Sequence, residues 1–322
     1  GPFGPWEKPD GSPRMTRPEV HPLNVLMIGP MPPPVGGTTV LFASLMEALS
    51  ARDDMVVRIV ATRGVRGQGL NSPLALFGLA SNIARTVRWA DVVTLHVSTT
   101  GLHVLGPMVA FLARRCRRPL IIRKFGGTDF MTFSPARRGL ILWALRRADL
   151  YLAETRRLVE RAEELGLRGV GWYPNSRPMP RLPEAAAGNG RSCRRFVFLS
   201  QLYRAKGVVD LLDAAEDLPD GVTIDVYGTL GFDLPGTVFD GRRNVTYHGA
   251  VERDRVHDVL ASHDALVLPT YYPAEGYPGV ILEAYAAGIP VISTRTGAIP
   301  ELVDASTGIL VEPRDVGSLR AA

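Results

Sequence analysis

Two carboxylates, Glu275 and Glu283, interrupt the otherwise apolar stretch EGYPGVILEAYAAGIPVIS. A buried acid without a partner is costly or loses its charge, so each carboxylate should have a partner. If Pro278 is the first helical residue, Gly279 and Glu283 lie four residues apart on one face of a helix. Because Gly279 has no side chain, a ligand can reach the Glu283 carboxylate past bare backbone.

The same stretch also offers donors for an anion. The amides of Gly279 and Val280 belong to the first helical turn, where backbone N–H groups lack an intrahelical acceptor. Glu275 lies in the preceding turn, and its carboxylate should project into a cleft. Two acceptors for hydroxyl groups with a phosphate site between them fit a nucleotide-linked sugar. In the alternative, Glu275 caps the helix and Glu283 pairs with a buried arginine.

Two cations, Arg204 and Lys206, stand just before a predicted helix that begins near Gly207. Positive charge at a helix N-terminus opposes the helix dipole. The arrangement becomes favourable if an anion such as a diphosphate lies beside these cations. The alternative is a pair of exposed surface cations.

A glycine pair, Gly36-Gly37, stands where the first predicted strand turns into a helix. The amides of Thr38 and Thr39 that follow are suited to an anion or a sugar hydroxyl. The loop lacks both GxGxxG spacing and a GK[ST] ending, so it does not identify a nucleotide site by itself. In the alternative, the glycines only permit a tight turn.

The elements that must position these residues follow a βαβ rhythm from Asn24 onward. Six predicted strands come before a Pro/Gly/Ser-rich break at 174–195, and six come after it: 24–29, 55–60, 91–97, 119–124, 149–153, 169–173, 195–200, 222–228, 244–249, 265–270, 290–294 and 308–313. Ligands of such sheets sit outside the carboxyl ends of the strands. We therefore predict an α/β protein in which two doubly wound, Rossmann-like domains face each other across a cleft.

The predicted boundaries are 21–175 for the N-terminal domain, 176–194 for a linker and 195–322 for the C-terminal domain. Residues 1–20 begin with Gly-Pro and contain no apolar signal core, which indicates a tag or disordered segment with Met15 as a candidate native start. The apolar run at 101–113 is shorter than the ~20 residues of a membrane span. We expect a cytoplasmic protein.

The composition predicts no metal site. Cys116 and Cys193 are the only cysteines, they lie far apart, and no histidines accompany them. No Asp-x-Asp pair occurs anywhere in the chain, so the sequence suggests no metal clamp on a diphosphate.

Positive charge is concentrated in the N-terminal half, where residues 81–169 contain sixteen Lys and Arg against seven Asp and Glu. Such a face attracts phosphates on an anionic membrane or on a phosphate-bearing acceptor. The alternative is a solvated surface. No helix-turn-helix, zinc-finger or RNP-type motif accompanies the charge, so we expect no nucleic acid partner.

In combination, these motifs resemble the signature of the retaining, GT-B-fold glycosyltransferases of family four. The resemblance rests on the spacing Glu275-x7-Glu283, the sequence AYAAGIPVISTRTGAIPELV that follows, GILVEPRD, YRAKGVVDLLDAAEDL, Pro174-Asn175 and the Gly36-Gly37 loop. It covers nearly all of residues 23–315.

The resemblance implies roles for the matching residues. Glu275 would contact the transferred sugar, Glu283 would bind the ribose hydroxyls, and Lys206 with an arginine would bind the diphosphate. The remaining residues of the donor site would be Gly276, Tyr277, Gly279 and Val280, with the base near His248 and Gly249. The loop of Gly36, Gly37 and Thr38 would close over donor and acceptor.

The sequence departs from the family pattern at three places. Gln201 replaces the usual arginine, so the role of that arginine falls to Arg204 or is lost. Pro278 removes one amide donor. The segment RKFGGTDF lacks the usual histidine, so Asp129 or Lys124 is expected to contact the acceptor. His96 and His103 are alternatives that are more typical of the interior.

The resemblance implies transfer of a sugar from a nucleoside-diphosphate sugar, with a UDP-sugar favoured and a GDP-sugar as the alternative. The expected acceptor is a glycan or a lipid-linked glycan, and the basic domain suggests peripheral membrane contact. The chain stops at Ala322, before the C-terminal helix of such folds, which suggests truncation. Two alternatives stay open: a non-catalytic nucleotide-sugar-binding subunit, and an epimerase or phosphorylase on the same fold.

Overall fold

The computed structural model describes residues 21–33, 36–62, 73–177 and 193–322, without the side chains of 73–76. The predicted tag at 1–20 and most of the predicted linker lie outside these ranges.

Two parallel sheets, each of six strands in the described ranges, form the framework. The N-terminal sheet contains β1 (Leu23–Gly29), β2 (Met55–Ala61), β3 (Val92–Val97), β4 (Leu120–Lys124), β5 (Leu150–Ala153) and β6 (Val170–Trp172), in the order β2-β1-β3-β4-β5-β6. The C-terminal sheet contains β7 (Arg195–Leu199), β8 (Thr223–Tyr227), β9 (Val245–Gly249), β10 (Ala265–Leu268), β11 (Val291–Thr294) and β12 (Gly308–Val311), in the order β12-β11-β10-β7-β8-β9. Every predicted strand is present, and its ends differ by no more than two residues from the prediction.

Helices connect the strands and cover the sheets. They are α1 (Gly37–Ser50), α2 (Pro73–Trp89), α3 (Thr99–Arg115), α4 (Pro135–Leu145) and α5 (Arg156–Glu164), then α6 (Val208–Ala215), α7 (Val256–Ala261), α8 (Gly279–Ala286) and α9 (Val316–Ala321). Pro278 is the N-cap of α8 and not its first residue. None of the helices in the described ranges combines the length and apolar character that a membrane crossing requires.

The central strands are apolar along their whole length because helices bury both faces of each sheet. In β3, all residues from Val93 to Val97 are buried, and all four residues of β10 are buried. The edge strand β2 instead exposes Val56 and Ile59. This contrast is what a doubly wound sheet predicts.

The carboxyl ends of the two sheets face each other, and glycine residues let the loops at these ends come into close contact. The loop after β4 carries Gly126 and Gly127, and the loop before α8 carries Glu275 and Gly276. The backbones approach so closely that a Cβ placed on Gly127 would lie 2.1 Å from the Glu275 carbonyl oxygen. The Gly127 amide also donates to the Ala274 carbonyl at 3.3 Å. These contacts join the two domains at the floor of a cleft.

Candidate functional site

A cleft of about 340 Å³ lies at this junction. Its lining combines the first turn of α1, the loops after β4 and β5, the segment 175–177, the strand ends of the C-terminal sheet and the start of α8. The polar and glycine residues that line it are Gly37, Thr38, Gly126, Glu154, Asn175, Arg177, Ser200, Lys206, Glu275, Gly276, Tyr277, Gly279 and Glu283.

Lys206 and Glu275 form the first ion pair of the cleft. The Lys206 ammonium lies 2.7 Å from Oε2 and 3.0 Å from Oε1 of Glu275. The Thr270 hydroxyl donates to the same carboxylate at 2.9 Å, and the ring of Tyr272 lies 5.0 Å from the ammonium. Glu275 is 7% exposed, so its charge depends on these partners. The structure thus brings together two of the predicted residues.

Glu283 and Arg177 form the second pair, with Nε of Arg177 2.6 Å from Oε1 of Glu283. The guanidinium lies directly on Gly279, where a Cβ would be 1.6 Å from Nη2. Its Nη1 donates to Oδ1 of Asn175 at 2.6 Å. The route past Gly279 to the carboxylate is therefore filled by Arg177 in this structure, as in the alternative that pairs Glu283 with an arginine.

The first turn of α8 lies between the two pairs. Gly279 and Val280 supply first-turn amides, and both residues line the cleft. Because Pro278 precedes the helix, its missing N–H is not one of the first-turn donors. The Ile281 amide donates to the Pro278 carbonyl at 3.1 Å. The departure at Pro278 thus leaves the amides at the helix start in place.

Glu154, which the sequence analysis missed, connects the domains from the end of β5. Its carboxylate accepts the Gly126 amide and the Tyr277 amide, both at 2.8 Å. The Asn175 amide group donates to the Tyr277 carbonyl at 2.8 Å, so both backbone groups of Tyr277 are bonded across the junction. Its position, directly after a predicted strand at the carboxyl end of the sheet, is the signal that could have identified Glu154.

Behind Glu154 lie two buried cations, Arg123 and Lys124. The Lys124 ammonium is fully buried and donates to the Gly126 carbonyl at 2.8 Å. Burial lowers the pKa of Lys124 to about 8, although the charges of Glu154 and Asp129 oppose that shift. Lys124 therefore supports the loop from behind and does not line the cleft.

Asp129 also points away from the cleft, unlike its predicted acceptor role. Its Oδ1 accepts the Met131 amide at 2.9 Å, and its Oδ2 lies 3.2 Å from Nε of Arg161. These bonds cap the short 3₁₀ turn that follows, so the carboxylate serves the N-terminal domain itself.

Arg204 is likewise outside the cleft. Its amide donates to the Asp233 carboxylate at 3.0 Å and its Nε to the Asp233 carbonyl at 3.0 Å. Of the described residues that line the cleft, the cations are Lys206 and Arg177. The expected second cation thus comes from residue 177 and not from residue 204.

His248 and Gly249, the expected neighbours of the base, lie at the far edge of the C-terminal sheet. The His248 ring stacks on Tyr227 with centroids 4.6 Å apart, and its Nε2 lies 2.7 Å from Oδ1 of Asp225. His263 lies 2.9 Å from the other oxygen of Asp225. In this structure, the ring of His248 is engaged within its own domain.

The glycine loop reaches the cleft at its C-terminal end, where Gly37 and Thr38 line it. Gly36 is the N-cap of α1, and its amide donates to the Thr39 hydroxyl at 2.9 Å. A Cβ on Gly36 or Gly37 would meet nothing within 4 Å, so the loop has open space beside it.

His96 is an interior residue. It is 4% exposed, its Nε2 lies 3.0 Å from the Thr94 hydroxyl, and the ring of Phe42 meets it edge-on at 5.1 Å. Burial, with a smaller contribution from the charge of Arg123, lowers the pKa of His96 to about 3. His103 also has a buried ring nitrogen, Nδ1. Within the described ranges, no group of three or more His, Cys, Asp or Glu is arranged to hold a metal ion.

Comparison with known proteins adds a family match. Residues 193–322 match the family model of glycosyl transferases group 1. The N-acetyl-alpha-D-glucosaminyl L-malate synthase of Bacillus anthracis is 26% identical over 258 residues, which are 74% of this chain and 66% of that protein. The D-inositol 3-phosphate glycosyltransferase of Arthrobacter sp. is 31% identical over 144 residues, 40% of this chain and 34% of that protein. The chain thus spans about a third to two thirds of the length of these relatives.

Solved structures support the same fold. HepE of Anabaena, in complex with UDP and glucose, superposes with a TM-score of 0.67 at 19% identity, covering 93% of this chain and 88% of that one. A glycosyltransferase of Rickettsia africae superposes with a TM-score of 0.68 at 14% identity, covering 93% and 86%. The fold is GT-B, with two Rossmann-like domains. The C-terminal domain thus resembles glycosyl transferases group 1, and the relatives that match parts of the chain carry names of sugar-transferring enzymes.

Proposed function

We propose that this chain is a retaining glycosyltransferase that moves a sugar from a nucleoside-diphosphate sugar to an acceptor hydroxyl, in the synthesis of a glycan, polysaccharide or glycolipid. The observation that carries the proposal is that one cleft holds two carboxylate–cation pairs on either side of the first turn of α8. Carboxylates accept hydrogen bonds from hydroxyl groups, whereas cations and first-turn amides bind phosphate.

In the proposed reaction, the bond between the anomeric carbon and the diphosphate oxygen breaks, and its electron pair leaves with the diphosphate. The acceptor oxygen forms the new bond to the same carbon, and the acceptor proton passes to the diphosphate. Lys206 and the first-turn amides of α8 stabilise the charge that develops on the leaving group. These groups supply the positive charge for which other enzymes use a metal ion, so we propose a metal-independent reaction.

A UDP-sugar is the donor we propose first, with a GDP-sugar second. A thermal-shift panel of both nucleotides and their sugars tests this, because a ligand of the native state raises the melting temperature by mass action. We expect one nucleotide series to raise it and the matching inorganic diphosphate control to raise it less. Equal melting temperatures with and without every nucleotide sugar would contradict the proposal.

Product analysis separates transfer from the other candidate reactions. With labelled donor, we expect free nucleoside diphosphate and a glycosylated acceptor, or slow release of free sugar when no acceptor is present. NMR of the first-formed product should show the anomeric configuration of the donor. Epimerised donor or a sugar phosphate would instead identify an epimerase or phosphorylase, and intact donor with tight binding would identify a non-catalytic subunit. The comparisons do not favour these alternatives.

For the acceptor, we propose a lipid-linked glycan at an anionic membrane surface. Helices α3 and α4 pack together, and each carries an exposed apolar side chain and an exposed arginine three residues apart. Phe111 is 59% exposed and Leu140 is 47% exposed, while Arg114 and Arg137 are exposed on the same two helices. Apolar side chains beside cations are the combination that binds an anionic interface.

Vesicle flotation tests this surface. We expect the wild-type chain to float with vesicles containing phosphatidylglycerol, less so at high salt, and the double variant Arg114→Glu/Arg137→Glu to lose that binding. Arg243→Glu/Arg255→Glu, at two exposed arginines of the C-terminal domain, is the matched control. Binding that is unaffected by both double variants would contradict the assignment of the surface.

A further inference from the structure

The two cations of the cleft are each held by one of its two carboxylates. Lys206 lies on Glu275, and Arg177 lies on Glu283, with shortest nitrogen–oxygen distances of 2.7 and 2.6 Å. Along the chain, Glu275 precedes the first turn of α8 and Glu283 follows it, and in each pair a carboxylate balances a cation. A ligand with a diphosphate in its middle and hydroxyl groups at both ends can replace both pairs at once.

Arg177 is held by its contacts in a position that suits an anion better than a cation. The guanidinium lies on Gly279, the first residue of α8, where the helix dipole is positive. Glu283 and Asn175 offset this unfavourable position in the structure. If the ribose hydroxyls of a donor bound Glu283, the Arg177 guanidinium would be left beside the amides of Gly279 and Val280. A diphosphate could then bind both the guanidinium and these amides.

The Arg177 side chain also has the exposure and the shape to bind a phosphate in place of Glu283. The Arg177 side chain is 13% exposed and Glu283 is 28% exposed, so the pair lies at the wall of the cleft and not in the core. A guanidinium can bind two oxygens of a phosphate in parallel, which an ammonium cannot. Arg177 follows β6 at the edge of the N-terminal domain, so a bond to a donor on α8 would also hold the domains together.

We propose that Arg177 is the second cation that binds the diphosphate of the donor, and that donor binding exchanges its partner from Glu283 to the phosphates. Glu283 then accepts the ribose hydroxyls, while Lys206 passes from Glu275 to the diphosphate in the same way. This inference rests on the proposed function, because it assumes a nucleoside-diphosphate donor. It assigns to residue 177 the role that the sequence analysis expected of Arg204.

Calorimetric titration of Arg177→Gln with UDP, GDP and the corresponding nucleosides tests the proposal. We expect the affinity for the nucleoside diphosphate to fall roughly tenfold or more, the scale of a lost hydrogen bond between charged groups. The affinity for the nucleoside should stay equal or rise, since Glu283 is then free. Arg177→Lys, which keeps the charge, should recover part of the diphosphate affinity and none of the nucleoside gain.

Arg204→Gln is the matched control. Like Lys206, Arg204 lies just before α6, but it contacts Asp233 outside the cleft. It should bind both ligands like the wild-type chain. Wild-type or stronger binding of the diphosphate by Arg177→Gln would show that Arg177 only blocks Glu283, and equal losses for nucleoside and diphosphate would show a structural role. Either of these two outcomes would overturn the role of Arg177 and leave the proposed function intact. A wild-type chain that binds neither nucleotide would overturn the proposed function with it.

Discussion

At the scale of single residues, the cleft is a set of charges that neutralise one another until a ligand separates them. Glu275 accepts from Lys206 and from the Thr270 hydroxyl, and the Thr270 bond holds its carboxylate in place when Lys206 turns to the diphosphate. Such fixed groups stabilise a transition state without having to reorganise during the reaction. We therefore expect the charge of the pair to matter more for transfer than for the stability of the fold.

Removing either member of this pair should impair transfer. We expect Lys206→Ala and Glu275→Gln each to lower kcat/KM by roughly 10²-fold or more, the scale of losing one group that stabilises developing charge. Arg295→Ala and Glu312→Gln, which remove an exposed ion pair of the same domain, are the controls. Initial rates of transfer measure the effect. Wild-type rates in Lys206→Ala or Glu275→Gln would exclude them from the reaction.

We expect the buried His96 to make the stability of the N-terminal domain depend on pH. Its folded pKa is about 3, below the value near 6.5 of an unfolded chain. Between these values only the unfolded state binds the proton, so stability contributed by the neutral ring is lost as the pH falls below about 6.5. The loss approaches about 1.4 kcal/mol per pH unit.

His96→Gln should remove that dependence. From pH about 7 to about 5, we expect the free energy of unfolding of the wild-type chain to fall by about 2 kcal/mol relative to His96→Gln. Urea unfolding followed by circular dichroism at both pH values measures it. The exposed His21→Gln serves as the control and should follow the wild-type chain. Parallel curves for wild type and His96→Gln would refute this origin of the acid sensitivity.

At the scale of elements, glycine determines how closely the loop after β4 approaches the loop before α8. A methyl group on Gly127 would lie 2.1 Å from the Glu275 carbonyl oxygen and 2.8 Å from its carbon. Both atoms belong to the backbone and cannot rotate away. Any side chain at residue 127 therefore displaces the loop that carries Glu275.

We expect Gly127→Ala to lower transfer by about 10²-fold, since misplacing a reacting group by about 1 Å has effects of that size. The matched control is Gly139→Ala on α4, where a Cβ would meet nothing within 4 Å. That control should leave transfer unchanged and stabilise the helix by up to about 1 kcal/mol. Transfer assays and melting temperatures of both variants test this prediction. If Gly127→Ala were as active as Gly139→Ala, the loop would adapt to the added methyl group and the prediction would be wrong.

The strands could be predicted from the sequence because each one depends on the pattern of its own neighbouring residues. Alternation of β-branched runs and helical segments predicted every strand, and the strand ends predicted that Lys206 and Glu275 would lie at one cleft. Their direct ion pair was not predicted. The partner of Glu283 was not predictable, since Arg177 lies 106 residues away and reaches it through a linker without periodicity. The direction of Arg204 depends on Asp233 in a separate loop, which no local pattern indicates.

At the scale of the whole molecule, two hydrogen bonds to the backbone of Tyr277 join the domains. The Glu154 carboxylate accepts the Tyr277 amide, and the Asn175 side-chain amide donates to the Tyr277 carbonyl. Within the C-terminal domain, Glu301 accepts from the Tyr277 phenol. Burial, with the hydrogen bond to Glu301, raises the pKa of Tyr277 to about 12, so the phenol remains a donor at neutral pH. The cleft lies beside these bonds, so we expect domain closure and ligand binding to depend on each other.

Glu301 is the acceptor whose loss should affect closure with the least damage to either domain. Its Oε2 accepts the Arg156 amide at 2.7 Å and its Oε1 the Arg157 amide at 3.3 Å, so a residue of the C-terminal domain caps α5 of the N-terminal domain. Because α5 keeps its own cap, in which the Thr155 hydroxyl accepts the Leu158 amide, the helix should persist without Glu301.

We therefore expect Glu301→Gln to shift the molecule toward an open form. Glu301→Gln removes the charge and one of the two acceptor oxygens of this cap. Loss of a whole helix cap costs about 0.5–2 kcal/mol, so the ratio of open to closed molecules should change by up to roughly 2- to 30-fold. Small-angle X-ray scattering should give a larger radius of gyration for Glu301→Gln without ligand, and saturating nucleoside diphosphate should restore the compact value, because ligand binding favours the closed form. Glu312→Gln, an exposed acid of the same domain, should scatter like the wild-type chain. A Glu301→Gln chain that is as compact as the wild type, with unchanged nucleotide affinity, would mean that the glycine contacts and Glu154 hold the cleft closed without it.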